Sequence, residues 1–306
     1  MRNLLGRLNA RSVQDLSRIA DAWQTPLAGR DRLAQISQLY RTMTRPSMVR
    51  AQWDGLDPDQ QTVVRALLDA ADTGRTIDEL ADELGAAPDL VRVMCVDLYD
   101  QGVIAYEGNA STLPVGEQPR LSVPIELASA IRAAIREIEA GDVSDRPFAE
   151  LIQTRDERDL FDAASYWGIE VIPGVTTRAQ MVDSLTKAAA VGATRHAQVD
   201  KLGQEVRALW EKLRAVPPGT PVPVEDLIGA GSERAMYGRR NAINELEDRL
   251  LAWPTVLDGG ARALFVPAEV ANAEGNTGPD AARPKPVSVV GSEPPYRPPG
   301  PLAWDL

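Results

Sequence analysis

The chain is poor in the residues that do chemistry. Its 306 residues include one cysteine, Cys95, and one histidine, His196. A single cysteine excludes an internal disulfide, and one residue of each kind removes zinc fingers, Cys/His dyads and His-based triads with a spare partner. There is no G-x-x-x-x-G-K-[ST] phosphate loop and no calcium-loop spacing. No run of about 18 apolar residues is available to span a bilayer. The opening MRNLLGRLNARSV carries charges but lacks the apolar core of a signal peptide. Cys95 falls on the inward side of a helix, where it serves as a small hydrophobe. His196 follows Arg195 with no partner at ligand spacing, which reads as an exposed histidine. The acidic pairs Glu137/Glu139 and Asp142/Asp145 sit on a charged helix end and linker, where solvation accounts for them. The expectation is a cytoplasmic protein that is not an enzyme, with no cofactor, no metal and no membrane partner.

Lysine is scarce as well. Twenty-nine arginines against four lysines point to a GC-rich bacterial genome. The net charge of −11 has the wrong sign for a protein that coats nucleic acid. Its distribution is uneven, however. Residues 1–50 carry nine arginines against Asp15, Asp21 and Asp31, a net +6. Residues 51–150 carry seven basic and twenty acidic side chains, a net −13. A basic amino-terminal module on an acidic body is the asymmetry of a localised anion-binding face.

What the chain does have is a design written twice. Leu16, Ala20 and Trp23 return as Leu160, Ala164 and Trp167, 144 residues on. Arg32, Ile36 and Leu39 return as Arg178, Val182 and Leu185 at an offset of 146. The stretch from Leu121 through Pro124 and Glu126 to Ala128 returns at 143 as Leu264 through Pro267 and Glu269 to Ala271. A period this long means two copies of a whole module.

Each copy reads as a helix pair followed by a helical unit with a β-hairpin. Ser12 caps a helix carrying Val13, Leu16, Ile19, Ala20 and Trp23 on one face. Pro26 and Gly29 break it, and a second helix carries Leu33, Ile36, Leu39, Tyr40 and Met43. Trp23 and Trp167 anchor the two helix-pair cores. Asp57-Pro58 then opens a helix ended by Gly74, Thr76 and Glu79 form a capping box for Ile77–Leu84, and Pro88–Gln101 follows. In that third helix Leu90, Val91, Met94, Cys95 and Leu98 are expected inward. Val103–Tyr106 and Leu121–Val123 read as strands. The copy has a helix from Leu202 to Leu213, a short one at Val224–Ile228, and a long one capped by Ser232 and running to about Trp253. Thr255–Asp258 and Ala261–Val266 form a hairpin about the Gly259-Gly260 turn. The fold expected is mainly α, a tandem duplication of a helix pair followed by a winged helix with a short hairpin wing. Its parts are a basic helix pair at 1–50, winged helix 1 at 51–140, a second helix pair at 150–195 and winged helix 2 at 196–271. Residues 272–306, rich in proline, are expected to be a disordered tail, or a linker into a further domain.

The helix pairs resemble the SAP type, and related pairs occur at the start of the transcription-termination factor Rho. Such modules commonly contact DNA or RNA, which implies a phosphate-holding role for Arg18, Arg30, Arg32 and Arg41. The competing reading is the solvated face of a small packing unit, and it is preferred for the acidic second copy. Over residues 1–271, helix pair, winged helix and the L-x-V-P-x-E motif at Leu121–Glu126 together resemble the N-terminal, non-motor domain of the XPB-type DNA-repair and transcription helicase. That resemblance implies an accessory module engaging DNA or protein partners.

The two candidate recognition helices differ in charge. The first presents Asp89, Arg92, Asp97 and Asp100, which repel phosphate. The second presents Arg234, Tyr237, Arg239, Arg240, Asn241 and Asn244, side chains suited to phosphates and base edges, diluted by Glu233, Glu245 and Glu247. Two functions stand, and the first, a non-enzymatic DNA-associated module acting in DNA repair or transcription, is the favoured one. One is sequence-independent DNA binding through Arg18, Arg30, Arg32 and Arg41, aided by Arg234, Arg239, Arg240, Asn241 and Asn244. The other is a protein-interaction scaffold whose acidic first winged helix is the working surface. A shared face for these arginines favours DNA, and their dispersal favours the scaffold.

Overall fold

A computed structural model of the chain describes residues 3–27, 31–70, 73–107 and 118–271. The first half runs α1 (Leu4–Asn9), α2 (Val13–Ala22), α3 (Arg32–Met43), α4 (Pro46–Asp54), α5 (Pro58–Asp69), α6 (Ile77–Leu84), α7 (Pro88–Asp100), β1 (Ala105–Glu107), β2 (Arg120–Ser122) and α8 (Ile125–Ala140). The second half runs α9 (Phe148–Gln153), α10 (Glu157–Tyr166), α11 (Arg178–Ala189), α12 (Gly192–Val199), α13 (Gln204–Arg214), β3 (Val222–Pro223), α14 (Val224–Ile228), α15 (Glu233–Asp248), β4 (Trp253–Val256), β5 (Arg262–Phe265) and α16 (Ala268–Ala271). The protein is mainly helical with small antiparallel sheets. The proline-rich segment from residue 272 onward lies outside the described residues.

Local chemistry sets the helix starts. Ser12 and Asp15 cap α2 reciprocally, Thr76 and Glu79 cap α6, and Thr177 and Gln180 cap α11. Asp31 accepts from the backbone N–H groups of Leu33 and Ala34 to open α3. Proline stands at the first position of α4, α5 and α7, where its missing N–H leaves no bond unmade.

The halves share the order of their elements and repeat each other's hydrogen bonds. The Trp23 indole Nε1 donates to the Gln101 carbonyl at 2.8 Å, and that of Trp167 donates to the Arg249 carbonyl at 2.7 Å. The Arg32 guanidinium donates to the carbonyls of Asn9 and Arg11, and the Arg178 guanidinium to those of Gln153 and Arg155. Leu4 N–H donates to the Glu126 carboxylate, and Phe148 N–H to that of Glu269. Two buried clusters form, one in each half. Both α7 and α15 end on a residue in the left-handed region, Gly102 at φ 75° and Leu250 at φ 55°. The bonds that close these ends, Val103 N–H to Leu98 and Leu251 N–H to Leu246, place α15 at an offset of 148 from α7.

β1 and β2 pair antiparallel, with Arg75 bridging to Leu121 on the far side of β2. In the second half the strand order is β3-β5-β4, and Val222 pairs with Leu264. The Arg75 bridge is therefore the reduced counterpart of β3.

Several expectations need correction. Helix α15 stops at Asp248, because the left-handed Leu250 turns the chain into β4 before Trp253. The first hairpin strand begins at Ala105, two residues later than Val103. The second hairpin has no two-residue turn: Leu257 N–H bonds to the Ala261 carbonyl, leaving Asp258, Gly259 and Gly260 as the loop. Helix α4 straddles the boundary expected at residues 50 and 51. Val13, Leu33 and Leu90, expected inward, are 59%, 68% and 52% exposed. Cys95 is fully buried and His196 is exposed.

Candidate functional site

Most of the described amino-terminal arginines are engaged by other groups of the chain, Arg18 through ion pairs at the surface. Arg18, on α2, pairs with Asp15 and, at 2.7 Å, with Asp100. Arg32 opens α3 and terminates α1 by bonding its last carbonyls. Arg11 donates to the Tyr99 carbonyl at 2.8 Å with its guanidinium 3.3 Å from the centre of the Tyr99 ring. Arg7 donates to the Tyr106 carbonyl at 2.6 Å. Arg41 is exposed on α3. Arg30 lies outside the described residues.

The second set meets a different fate. Arg234 is exposed. Arg239 donates to the carbonyls of Ile228 and Ala230, satisfying the chain as it leaves α14. Arg240 donates to the Gln24 side chain at 2.9 Å, and burial holds its pKa below the usual arginine value. Asn241 accepts from Arg45 at 2.6 Å. Asn244, 2% exposed, accepts from Ser47 N–H at 3.0 Å and donates to the Arg240 carbonyl at 3.1 Å. Tyr237 and Thr42 share a hydroxyl–hydroxyl bond of 3.2 Å. The face expected outward is the joint between the halves, seated on α4. An asparagine buried in this way has no face to offer a groove.

A salt bridge fixes the joint. Arg50 on α4 makes two bonds to Glu247 on α15, at 2.9 and 2.5 Å, with a third contact to Glu137 on α8 at 2.7 Å. Glu247, expected to dilute an outward face, is buried here. Burial alone would lower the Arg50 pKa, but the charges of Glu137 and Glu247 outweigh it and raise that pKa. Arg262 of β5 adds contacts to Asp54 and Glu137 at 2.9 and 3.2 Å. Isolated buried charges are costly, so breaking this network from one side costs more than the intact pair contributes.

The equivalent helix of the first half is bare. At an offset of 148, the joint residues Tyr237, Arg240, Asn241, Asn244 and Glu247 correspond to Asp89, Arg92, Val93, Val96 and Tyr99. Val93 is 59% and Val96 45% exposed, with Leu90 beside them. Asp89, Arg92 and Asp97 flank this stripe, and Arg92 pairs with Asp89 at 2.9 Å. Spacing of three residues aligns the apolar groups on one face of α7. The charges of Asp89, Arg92 and Asp97 mark this solvent face in the sequence, but Leu90 is expected inward and Val93 and Val96 carry no assignment.

A polar cleft of about 380 Å³ lies beside the joint, lined among others by Arg45, Tyr166, Glu205, Asn241, Asp248 and Arg249. Its groups mostly satisfy one another: Arg249 pairs with Glu245 at 3.0 Å and lies over the Tyr166 ring, while Arg45 bonds Asn241. Among the described residues no group of three or more His, Cys, Asp or Glu is placed to hold a metal ion. Burial pushes the Cys95 thiol up to about 11, away from nucleophilic use. Among the described residues no helix is long and apolar enough to cross a membrane. No known family model matches the chain, and no curated protein matches it.

Proposed function

We propose that this chain is a protein-interaction scaffold made of two helix-pair-plus-winged-helix units, with α7 of the first unit as its working surface. The observation that carries this reading is the exposure of Val93 and Val96, with Leu90 beside them, at helix positions whose counterparts Asn241 and Asn244 pack the second unit against the first. The winged-helix assignment is supported by the order α5, Arg75 bridge, α6, α7, β1, β2, and by the β3-β5-β4 sheet of the second unit. The resemblance to the XPB-type N-terminal domain agrees with that element order and with an accessory role. Winged helices of acidic character serve as protein-binding surfaces when their recognition helix repels phosphate.

The DNA reading loses most of its donors. Arg18 and Arg32 are engaged within the first unit, and Arg239, Arg240, Asn241 and Asn244 within the second unit or the joint. Arg41 and Arg234 remain exposed on separate elements. The test is a photo-crosslinking amino acid placed singly at positions 41, 93 and 234 of the full chain. The expected result is a protein adduct at 93 that disappears when Val96→Glu is added, with no nucleic-acid adduct at 41 or 234. Nucleic-acid adducts at 41 and 234, with none of any kind at 93, would restore the DNA reading.

A further inference from the structure

We infer that the protein partner of α7 is a second copy of this chain, joined head to tail through its α12. The inference rests on the scaffold reading above and supplies the partner. Within one chain, the second unit seats α15 on α4 of the first unit. That contact is heterologous: two different surfaces meet, so each unit carries one of each kind. A chain of two units uses one surface from each. It leaves over the α7 face of the first unit and, in the second unit, the α12 face that corresponds to α4.

The leftover surfaces match in chemistry. Offsets of 146 and 148 carry three bonded pairs of the internal joint onto pairs at the free ends. Arg45 and Asn241 become Val191 and Val93; Ser47 and Asn244 become Ala193 and Val96; Arg50 and Glu247 become His196 and Tyr99. In the first two, polar partners have been exchanged for apolar ones on both sides together. The third sets an imidazole against a phenol, and Asp89 and Arg92, the counterparts of Tyr237 and Arg240, pair with each other. An exchange on one side alone would leave a buried polar group unpaired, and Val191/Val93 and Ala193/Val96 avoid that penalty. Ala193 and His196 are exposed on α12, as Val93 and Val96 are on α7. The counterpart of Arg262 is Pro119, so the two ion pairs of Arg262 have no equivalent. The contact between chains is thus smaller than the internal one, and it is weak and concentration-dependent. Because the contact is heterologous, it adds chain after chain unless the rotation closes a ring.

Sedimentation velocity on the full chain tests this, with Val93→Glu blocking the α7 face and Ala193→Glu the α12 face. Both positions are exposed, and thermal melts of each variant confirm that folding is retained. The wild-type sedimentation coefficient is expected to rise over about a hundredfold range of concentration reaching the hundreds of micromolar. Each variant alone stays monomeric, its association weakened by about tenfold or more. An equal mixture of the two variants forms dimers and goes no further, because each supplies the surface the other retains. A wild-type chain that stays monomeric throughout overturns the proposal, as does a mixture that restores nothing. Association lost in Val93→Glu but intact in Ala193→Glu also overturns it, pointing to an α7–α7 contact. The crosslink at position 93 separates the two readings. An adduct with a different protein removes the second copy and keeps the scaffold, whereas nucleic-acid adducts at 41 and 234, with none at 93, remove both.

Discussion

Arg50 and Glu247, 197 residues apart, hold each other through two bonds at 2.9 and 2.5 Å in the interior of the joint. Neither has access to water that would replace the other. Removing one partner leaves a buried charge unmatched. Glu247→Gln and Arg50→Met should each cost about 3–5 kcal/mol. The double replacement Arg50→Met, Glu247→Leu should recover much of that loss, and Glu137, left without Arg50, retains Arg262. Urea unfolding of the wild type, Arg50→Met, Glu247→Leu and the double variant measures the cycle.

Asn244→Ala should lower stability by about 1–3 kcal/mol, since Ser47 N–H loses its acceptor. Arg240→Ala should lower it less, because its bond to Gln24 is more exposed. Affinity for duplex or single-stranded probes should be unchanged in both. A gel-shift titration at low salt, beside thermal melts, checks this; weakened probe binding without a change in melting would return these residues to nucleic acid.

Trp23→Phe and Trp167→Phe should cost about the same as each other, roughly 1–2 kcal/mol, since each loses one indole bond to a helix-end carbonyl. The pair should be additive, being in separate cores. Unequal costs in chemical denaturation would show that the two bonds serve different ends.

Cys95 gives a pH-dependent handle. Its folded pKa is pushed up to about 11 by burial, above the ordinary thiol value. The thiol therefore adds stability below the unfolded pKa, and that contribution is lost as pH rises toward 11. Between pH 8 and 10.5 the wild type should lose roughly 2 kcal/mol more than Cys95→Ala. At pH 8, a thiol reagent should label native protein only as fast as α7 opens, which a stopped labelling series reads directly.

Gly102→Ala should be disruptive. Its φ of 75° disfavours a side chain, and a Cβ there would meet Ile19 at 3.1 Å. A loss of about 1–3 kcal/mol in thermal denaturation is expected. Leu250 shows that the second unit accommodates a side chain at the same place, so Leu250→Ala should act only by lost packing.

Much of this architecture is legible in the residues. Capping pairs such as Ser12/Asp15 and Thr76/Glu79 act locally, and the recurrent tryptophans and Pro-x-Glu motifs mark the period of the chain. What is not legible depends on distance. Arg240, Asn241 and Asn244 read the same whether they meet phosphate or another helix, because hydrogen-bonding capacity does not name its partner. Helices α4 and α12 are short, nine and eight residues, and the contacts of α4 with α15 are polar, so periodicity gave no hint that α4 is the seat of the joint. The exposure of Leu90, Val93 and Val96 was hidden by its own surroundings: Val91, Met94, Cys95 and Leu98 are interleaved with them, so periodicity does not separate the apolar residues that face water from those that face the core.

The glutamates at the ends of the units have a consequence for synthesis. Glu126 closes the first unit on Leu4, and Glu269 closes the second on Phe148, through bonds of the same kind. Two similar units in one chain invite exchange of parts, the characteristic error of repeat proteins. Here the first latch is complete in sequence before the second unit begins, because Glu126 precedes Phe148. The ribosome therefore delivers a unit able to shut before its rival for Leu4 has been made. A circularly permuted gene that opens inside the second unit, so that Glu269 and Leu4 emerge before Glu126, would remove that head start, and its freshly synthesised chains should contain a larger cross-latched fraction.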